Sequence, residues 1–576
     1  MNSTDRVLDT IAMMPLISAP ELATVCGINH RQAYRALGNM MSDGAVESIP
    51  HKLAGAAVER WRLTGNGVGD LAERKGITAE DALRDWPLSA EWERSLLRRL
   101  HTVAICYKVA IEALRVEPGY PRWRWERSDV YDAFMTLASG RTFGICRIGP
   151  SLSVKSISSR VRALSVLNYR EYVSSAVVVT PGPIEQNNLV RRLARTYMSL
   201  AVGTEEKVLL GHPGEPAWRT PLYKPLEDFP LEPFIKGCDV RPMPPRRRMP
   251  KQASMPKGND GLGPESIELA TSRFGEAGML LLDTGSNWPL INEDRARRMT
   301  GFRSSWYREQ RTMLVNSGVL ARVRMARRNK KTGGWRLVLT DDGLRLVAWR
   351  DRTTLSDLTR GWRIAPAGKD DKAGQIEGYA LNGTKLRVAA REILHTDALQ
   401  ELACTIQESC DADPDWTVEQ ILPTHRWERW FHYNNRRYGI RPDATALLKY
   451  NERQVALLVE YEQRAMTPSR MLEKVTRYNR YFGSLDTGLD FASPPVAVMV
   501  FPDTASASRF VVHLSRALVR PRRGRSVNRF RMLTSSLEDI NKMGFTGTAW
   551  WDPMHIGEGM LTLHKSLQRM YVWIGG

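Results

Sequence analysis

Residues 441–462 read RPDATALLKYNERQVALLVEYE, and the reading of this stretch decides the fold. An apolar run, Val455 to Val459, ends in two carboxylates two positions apart, Glu460 and Glu462, and a third stands upstream at Asp443. Side chains two apart on a strand point to the same side, so Glu460 and Glu462 face one way together. Neighbouring carboxylates repel unless something positive sits between them. Solvent, an arginine such as Arg441 or Arg464, or a divalent metal would each meet that need.

The bulk of the chain bounds what surrounds this strand. Its 576 residues exceed one hydrophobic core and imply several domains. Hydrophobic residues make up 42% and charged residues 25%, the mixture of an ordinary globular chain. No run of about 18 apolar residues marks a membrane span and no charged-then-apolar leader opens the chain, so a cytoplasmic protein is expected. The cysteines, Cys26, Cys106, Cys146, Cys238, Cys404 and Cys410, form no CxxC pair and no Cys/His cluster. That argues against a disulfide framework or a zinc finger and for reduced, buried thiols. No P-loop or kinase motif occurs, which argues against an ATP-driven role.

The net charge of +20 points to a polyanionic partner, with nucleic acid first. The excess is local. Between Arg295 and Arg336 stand 13 Lys and Arg residues against one acid, Glu309, the pattern of a phosphate-binding face.

The chain also repeats itself. Residues 27–63 align without a gap on 301–337, setting Gly27 on Gly301, Gly44 on Gly318 and Trp61-Arg62-Leu63 on Trp335-Arg336-Leu337. Each copy reads as helix, turn, helix and two strands, and runs on into LTGNG or LTDDG before an apolar helix. In the first copy, Pro20 to Val25 forms a short helix, Gly27 the turn, and His30 to Met41 a helix with Ala33, Leu37, Met40 and Met41 on its apolar face. Strands are expected near Ala45–Ile49 and Glu59–Leu63. This order is that of a winged helix. Its outward helix face carries Arg31, Gln32 and Arg35 in the first copy, and Ser304, Ser305, Arg308 and Arg311 in the second. Arg327, Arg328, Lys330 and Lys331 fall in the second wing, suited to backbone or minor-groove contact with double-stranded DNA.

A second repeat follows. Residues 125–164 match 439–478, and both segments continue to an apolar strand, Ala176 to Val179 and Val496 to Val500. Both later reach a tryptophan motif, EPAWRTPL at 215–222 and GTAWWDPM at 547–554. Between the halves, the Pro-rich basic stretch 237–262 reads as an extended linker. The alignment places Asp129 on Asp443, Cys146 on Glu460, Ile148 on Glu462 and Arg160 on Lys474. The acids of the second half are therefore not a requirement of the architecture.

An Asp, a strand ending in Glu-x-Glu and a helix bearing Lys474 resemble the PD-(D/E)XK nuclease core. With a winged helix ahead of RPDA, LVEYE and LEKVTRYNRYF, the chain resembles the replication-relaxation family and the related C-class mobilization relaxases of plasmids and integrative elements. The likeness spans roughly 280–560, with 5–222 as a degenerate copy. Where the family carries Arg-Gly-Thr, this chain has Gln463-Arg464-Ala465. The resemblance implies an α/β and α+β multidomain chain of two tandem units, each a winged helix followed by a restriction-endonuclease-like mixed-sheet α/β domain. The divisions are 1–80, a degenerate nuclease-like domain at 90–236, the linker 237–262, a second winged helix at 263–352 and a nuclease-like domain at 385–560.

In that frame Asp443, Glu460 and Glu462 hold Mg²⁺ or Mn²⁺. Glu462 occupies the position of the motif lysine, and Lys474 serves as general base or charge stabiliser. Tyr478, Tyr481, Trp550 and Trp551 read as core. His395, on the preceding helix, is placed to approach the site, but His101 takes the equivalent place in the first half, which favours a structural role for both. The expected function is site-specific binding of origin- or operator-type DNA in a mobile element, with metal-dependent DNA nicking in mobilization or replication. The alternative is a non-enzymatic factor that recruits a relaxase, a replication protein or a coupling ATPase. Conjugation or replication proteins and a second copy of the chain are the expected protein partners.

Overall fold

The structure is a computed structural model. It describes residues 3–53, 56–127, 130–151, 157, 160, 163, 173–193, 198–221, 227–245, 253–259, 267–325, 334–366, 376–451, 453–463, 467–491, 493–519, 531–555, 557 and 559–571. The chain is a mixed α/β protein that divides into two compact units: 1–283 with 305–321 and 339–363, and 284–304 with 322–338 and 364–576. Segment 263–352 contributes to both. Among the described residues, no helix is long and apolar enough to cross a membrane.

The chain opens with α1 (Ser3–Met13), β1 (Ile17–Ser18), α2 (Ala19–Cys26), α3 (His30–Ser42), β2 (Val46–Leu53), β3 (Ala56–Leu63) and α4 (Gly65–Lys75). Gly27 ends α2 at φ 64°, a left-handed conformation that a side chain would strain. Asn29 and Gln32 cap α3 reciprocally. Ala33, Leu37 and Met40 of α3 are buried as the periodicity predicts. Met41 is not; it is 53% exposed, because it lies one step round the helix from that stripe. The three strands form one sheet in the order β1-β3-β2.

Later come β10 (Ile291–Asn292), α7 (Glu293–Thr300), α8 (Ser304–Asn316), β11 (Leu320–Arg324), β12 (Trp335–Leu339) and α9 (Asp341–Asp351), with the sheet order β10-β12-β11. (Among the intervening helices are α5, Leu100–Val116, and α6, Pro183–Arg192.) The pairing corrects the sequence alignment at its last strand. Ser18 faces Arg60 as Asn292 faces Arg336. Arg60 donates to the Leu16 carbonyl and Arg336 to the Leu290 carbonyl, each at 2.9 Å. Both acceptor leucines have positive φ, 67° and 61°. Arg60 thus corresponds to Arg336, and the shared Trp-Arg-Leu is out of register by two residues. A buried arginine with fixed acceptors sets a register more strongly than side-chain identity does.

The LT-x-x-G motif also has a physical basis. Thr64 and Thr340 cap α4 and α9, accepting from Gly67 and Gly343 and donating to the carbonyls of Gly44 and Gly318. A Cβ at Gly67 or Gly343 would stand 2.0 Å from the carbonyl oxygen of Ala45 or Val319, so glycine is required there.

Two larger sheets follow a common plan. The first contains β4 (Arg122–Trp125), β5 (Ala133–Thr136), β6 (Thr142–Arg147), β7 (Ser175–Thr180), β8 (Ser199–Thr204) and β9 (Trp218–Arg219), paired in chain order. After β13 (Ile364–Pro366) and β14 (Tyr379–Leu381) comes α10 (Ile393–Asp411). The second sheet then contains β15 (Trp416–Pro423), β18 (Ala444–Tyr450), β19 (Arg453–Tyr461), β20 (Val496–Phe501) and β21 (Met532–Ser536), in the order β15-β18-β19-β20-β21. In both, the first three strands are antiparallel and the next two pairings parallel. The second sheet differs by an inserted hairpin, β16 (Arg429–Tyr433) and β17 (Arg436–Ile440). Strands β7 and β20 are buried along their whole length, as parallel strands covered on both faces must be. Trp218 and Trp550 are fully buried, which places both tryptophan motifs in core.

Candidate active site

Strand β19, the central strand of its sheet, carries LLVEY to its C-terminal end, and α11 (Pro468–Phe482) packs back over that end. Helix α11 itself begins with Pro468, which suits the first turn because its missing N–H would be unpaired there anyway. Met471, Val475, Tyr478 and Phe482 form the buried stripe of α11, and Lys474 lies beside it. The side chain of Lys474 therefore reaches the strand end. Its Nζ lies 2.7 Å from Glu460 Oε2 and is also paired with Glu462. The positive charge between the two carboxylates is a lysine. Arg441 pairs instead with Glu428 at 3.3 Å, and Arg464 lies outside the described residues.

Asp443 precedes β18, and its Oδ2 accepts the backbone N–H of Tyr461 at 2.9 Å. That bond ties the aspartate to the strand bearing both glutamates. Its Oδ1 faces His395 Nε2, from α10, at 3.4 Å. Tyr478 donates to Glu460 Oε1 at 2.5 Å, so both oxygens of this 5% exposed carboxylate are engaged. Tyr481 on the same helix donates to Asp490. The two tyrosines are core residues by burial, and each also binds a buried acid.

The electrostatics follow from burial. Burial pushes Glu460 up to about 7 and Asp443 up to about 6, against the opposing pull of Lys474. Burial would lower Lys474, but Glu460 and Glu462 outweigh it and hold the amine above the ordinary lysine range. Lys474 is therefore protonated at neutral pH. Of its two expected roles, charge stabiliser fits and general base does not. Burial lowers His395, which is then neutral at pH 7.

Three hard carboxylate donors facing a single lysine suit a small divalent cation by chemistry. As the side chains stand, Lys474 fills the gap between the glutamates. Among the described residues, no three His, Cys, Asp or Glu side chains are disposed to hold a metal ion.

The equivalent place in the first sheet is different. Asp129 lies outside the described residues; the acid that performs the role of Asp443 is Asp132. It precedes β5, and its Oδ2 accepts the N–H of Arg147 on β6 at 2.8 Å. The separation is 15 residues here and 18 in the second sheet. A gapless alignment misses this because the β18–β19 hairpin is three residues longer. Asp132 is paired with Arg99 and Arg352, each at 3.1 Å. Although burial pushes it up, those arginines hold its carboxyl below the usual range.

Asp351, at the end of α9, enters the same place. It pairs with Arg350 at 2.7 Å and Arg147 at 3.1 Å, and accepts from Ser151. Gly149 makes room, since a Cβ there would lie 2.2 Å from the Asp351 carboxyl carbon. Arg160, aligned with Lys474, donates to the backbone carbonyls of Arg147, Asp351 and Arg352. Cys146 and Ile148, aligned with the two glutamates, are fully buried. His101 contacts Glu205 at 3.1 Å.

The expected DNA contacts divide. Arg31, Gln32 and Arg35 are exposed on α3, and Ser304, Ser305 and Arg308 on α8; Arg311 is half-buried. Gln32 spends its carbonyl on the Asn29 cap. Arg327, Arg328, Lys330 and Lys331 lie outside the described residues. Much of the basic run is used internally. Arg295 binds Asp397 and Glu401, Arg298 binds Glu401 and Glu408, Arg322 binds Glu293, and Arg336 binds Asp397. The acids that absorb them lie mostly about one hundred residues downstream on α10, which no local charge count reveals. All six cysteines are buried and none forms a disulfide.

No protein-family model matches the chain, and no curated protein matches it. The crystal structure of protein VC1899 from Vibrio cholerae aligns with 68% of this chain and 93% of its own, at 10% identity and a TM-score of 0.17. A likeness that slight carries no argument about fold or function.

Proposed function

We propose that the chain binds DNA through winged helices and cuts one strand at the β19 cluster, as the resemblance to mobilization relaxases implies. The observation that carries the reading is the convergence of Asp443, Glu460, Glu462 and Lys474 at one strand end, with more buried negative charge than Lys474 offsets. Buried carboxylates left undercompensated are costly in a fold, and the first sheet supports the same plan without them.

In this reading Asp443, Glu460 and Glu462 hold Mg²⁺ or Mn²⁺. Bound there, the cation would polarise the phosphate and make bound water more acidic. The chain's own groups do the rest. Tyr478 fixes the Glu460 carboxylate through its hydroxyl. The Tyr461 N–H fixes Asp443. Protonated Lys474 supplies a charge beside the phosphate, in the role of a stabiliser. The exposed faces of α3 and α8, with Arg31, Arg35 and Arg308, supply the contacts to double-stranded DNA. Two tandem units, each a winged helix with a nuclease-like domain, belong to the same proposal.

A second reading rests on Lys474 itself. If its ion pairs satisfy the glutamates permanently, the protein is a DNA-binding factor without cleavage, recruiting a relaxase or replication protein. Supercoiled plasmid carrying the cognate site, incubated with Mg²⁺ or Mn²⁺, separates the two. The nuclease reading expects conversion to open circles by the wild type and none by Glu460→Gln. Absence of cleavage by the wild type on that plasmid leaves the recruiting factor.

A further inference from the structure

Among the described residues, the hairpin inserted between β15 and β18 has no counterpart in the first sheet, and its two faces differ. Strand alternation sends Arg429 and Phe431 inward. Arg429 pairs with Asp490 at 2.9 Å, and the Phe431 ring lies 5.3 Å from that of Tyr481 on α11. The hairpin is thereby fastened to the helix that carries Lys474. Its turn is Asn434-Asn435, both at positive φ (50° and 58°), the conformation of a tight two-residue hairpin turn. The outward face pairs Trp430 with Gly439 and His432 with Arg437. Trp430 is 56% exposed. Its ring covers Gly439, where an added Cβ would lie 3.2 Å from the indole. The Arg437 guanidinium is 4.8 Å from the ring centre. One turn further, Arg441 is 64% exposed and leads directly to Asp443. Between residues 426 and 441 the only acid is Glu428, which pairs with Arg441 at 3.3 Å and must yield it to a phosphate; Asp486 accepts the His432 N–H at the hairpin backbone.

We infer that this hairpin is a platform for an unpaired nucleic-acid strand, stacking a base on Trp430 and holding the neighbouring phosphates with Arg437 and Arg441. An exposed indole among cations is the chemistry that single strands use, since every base has a face to stack and every link a charge. The ring is held over Gly439, so little side-chain freedom is lost on binding. The exposed outward side chains beside Trp430 are His432 and Arg437, polar rather than apolar, and bases within a duplex are already stacked. The hairpin ends at Ile440, three residues before Asp443, so a strand lying along it is delivered to the carboxylate cluster. The inference rests on the reading that this domain acts on nucleic acid, but not on cleavage.

The test is fluorescence anisotropy with a short labelled single strand and the same sequence as duplex, without divalent cation. Trp430→Ala is expected to weaken single-strand binding by about tenfold and leave duplex binding unchanged. Trp430→Phe should recover most of the loss, which separates lost stacking from a damaged fold. Paired substitution of Arg437 and Arg441 to Ala should flatten the salt dependence. Equal single-strand affinity in the wild type and Trp430→Ala overturns the inference, as does a wild type that binds no single strand. A protein that binds single strands through Trp430 yet never cuts overturns the nuclease reading and keeps this one. A protein that cuts while Trp430→Ala binds normally does the reverse.

Discussion

At the end of β6, Asp132 lies between Arg99 and Arg352, and Asp351 fills the neighbouring space between Arg147 and Arg350. At the end of β19, Asp443 faces a neutral histidine, and Glu460 shares one lysine with Glu462. Both aspartates hold the next strand by the same backbone bond. Everything around that bond differs. The first place is filled by side chains from α9 and closed by ion pairs. The second keeps acids that burial makes reluctant to ionise. Matched backbone geometry therefore says nothing about function by itself; what separates the two ends is how completely the buried charge is answered.

The largest expected effect lies in activity. Glu460→Gln or Asp443→Asn should reduce plasmid nicking to background, whereas Asp132→Asn should leave its rate unchanged. Nicking lost equally from both halves would erase the distinction between them.

Stability should show the reverse order. Asp132→Ala strands Arg99 and Arg352 without their shared acid, a loss of about 3–5 kcal/mol for a broken buried pair. Asp443→Asn keeps an oxygen for the Tyr461 N–H and removes a charge that burial disfavours, so at pH 8 it should cost little or stabilise. Thermal melting of the two variants reads this directly.

The pH dependence sharpens the contrast. Glu460 and Asp443 have raised values, about 7 and about 6, so their contribution is fully present below the ordinary carboxylate range. It is lost as the pH rises through 6 and 7, by roughly 1–3 kcal/mol. Asp132 is lowered, so its contribution is present above the ordinary aspartate value and lost only on acidification below it. His51 and His425, held neutral in the fold by burial, add a rising component common to all variants. Between pH 5 and pH 8 the melting temperature of Glu460→Gln relative to the wild type should therefore rise, while that of Asp132→Asn keeps a constant offset.

The smallest effect concerns DNA. Arg308→Glu on α8 and Arg31→Glu on α3 each remove an exposed cation, and each lost phosphate contact should lower the salt slope by about one. Reversal of Arg308 with Arg311 should weaken binding more than reversal of Arg31 with Arg35. Equal losses would remove the expected asymmetry between the two helices.

The sequence made some of this legible and hid the rest for identifiable reasons. Alternation and periodicity placed β19, α3 and α11, and the Glu-x-Glu spacing placed both acids toward Lys474. Residue identity misled where long-range bonds set the register, as with Arg60 and Arg336. It misled again at Asp132, where a longer hairpin in the second half shifted the match. The ion pairs between the basic run and α10, the Asp351 plug and the outward Trp430 depend on partners distant in sequence. No local pattern announces them.

The most direct test of the central claim is the melting temperature with and without Mn²⁺ at pH 8, for the wild type, Glu460→Gln and Asp132→Asn. A cation held by Asp443, Glu460 and Glu462 should raise the melting temperature of the wild type, equivalent to about 2–3 kcal/mol well above its dissociation constant. Asp132→Asn should show the same rise from its own baseline, and Glu460→Gln none. No rise in the wild type, or an equal rise in Glu460→Gln, would contradict the account.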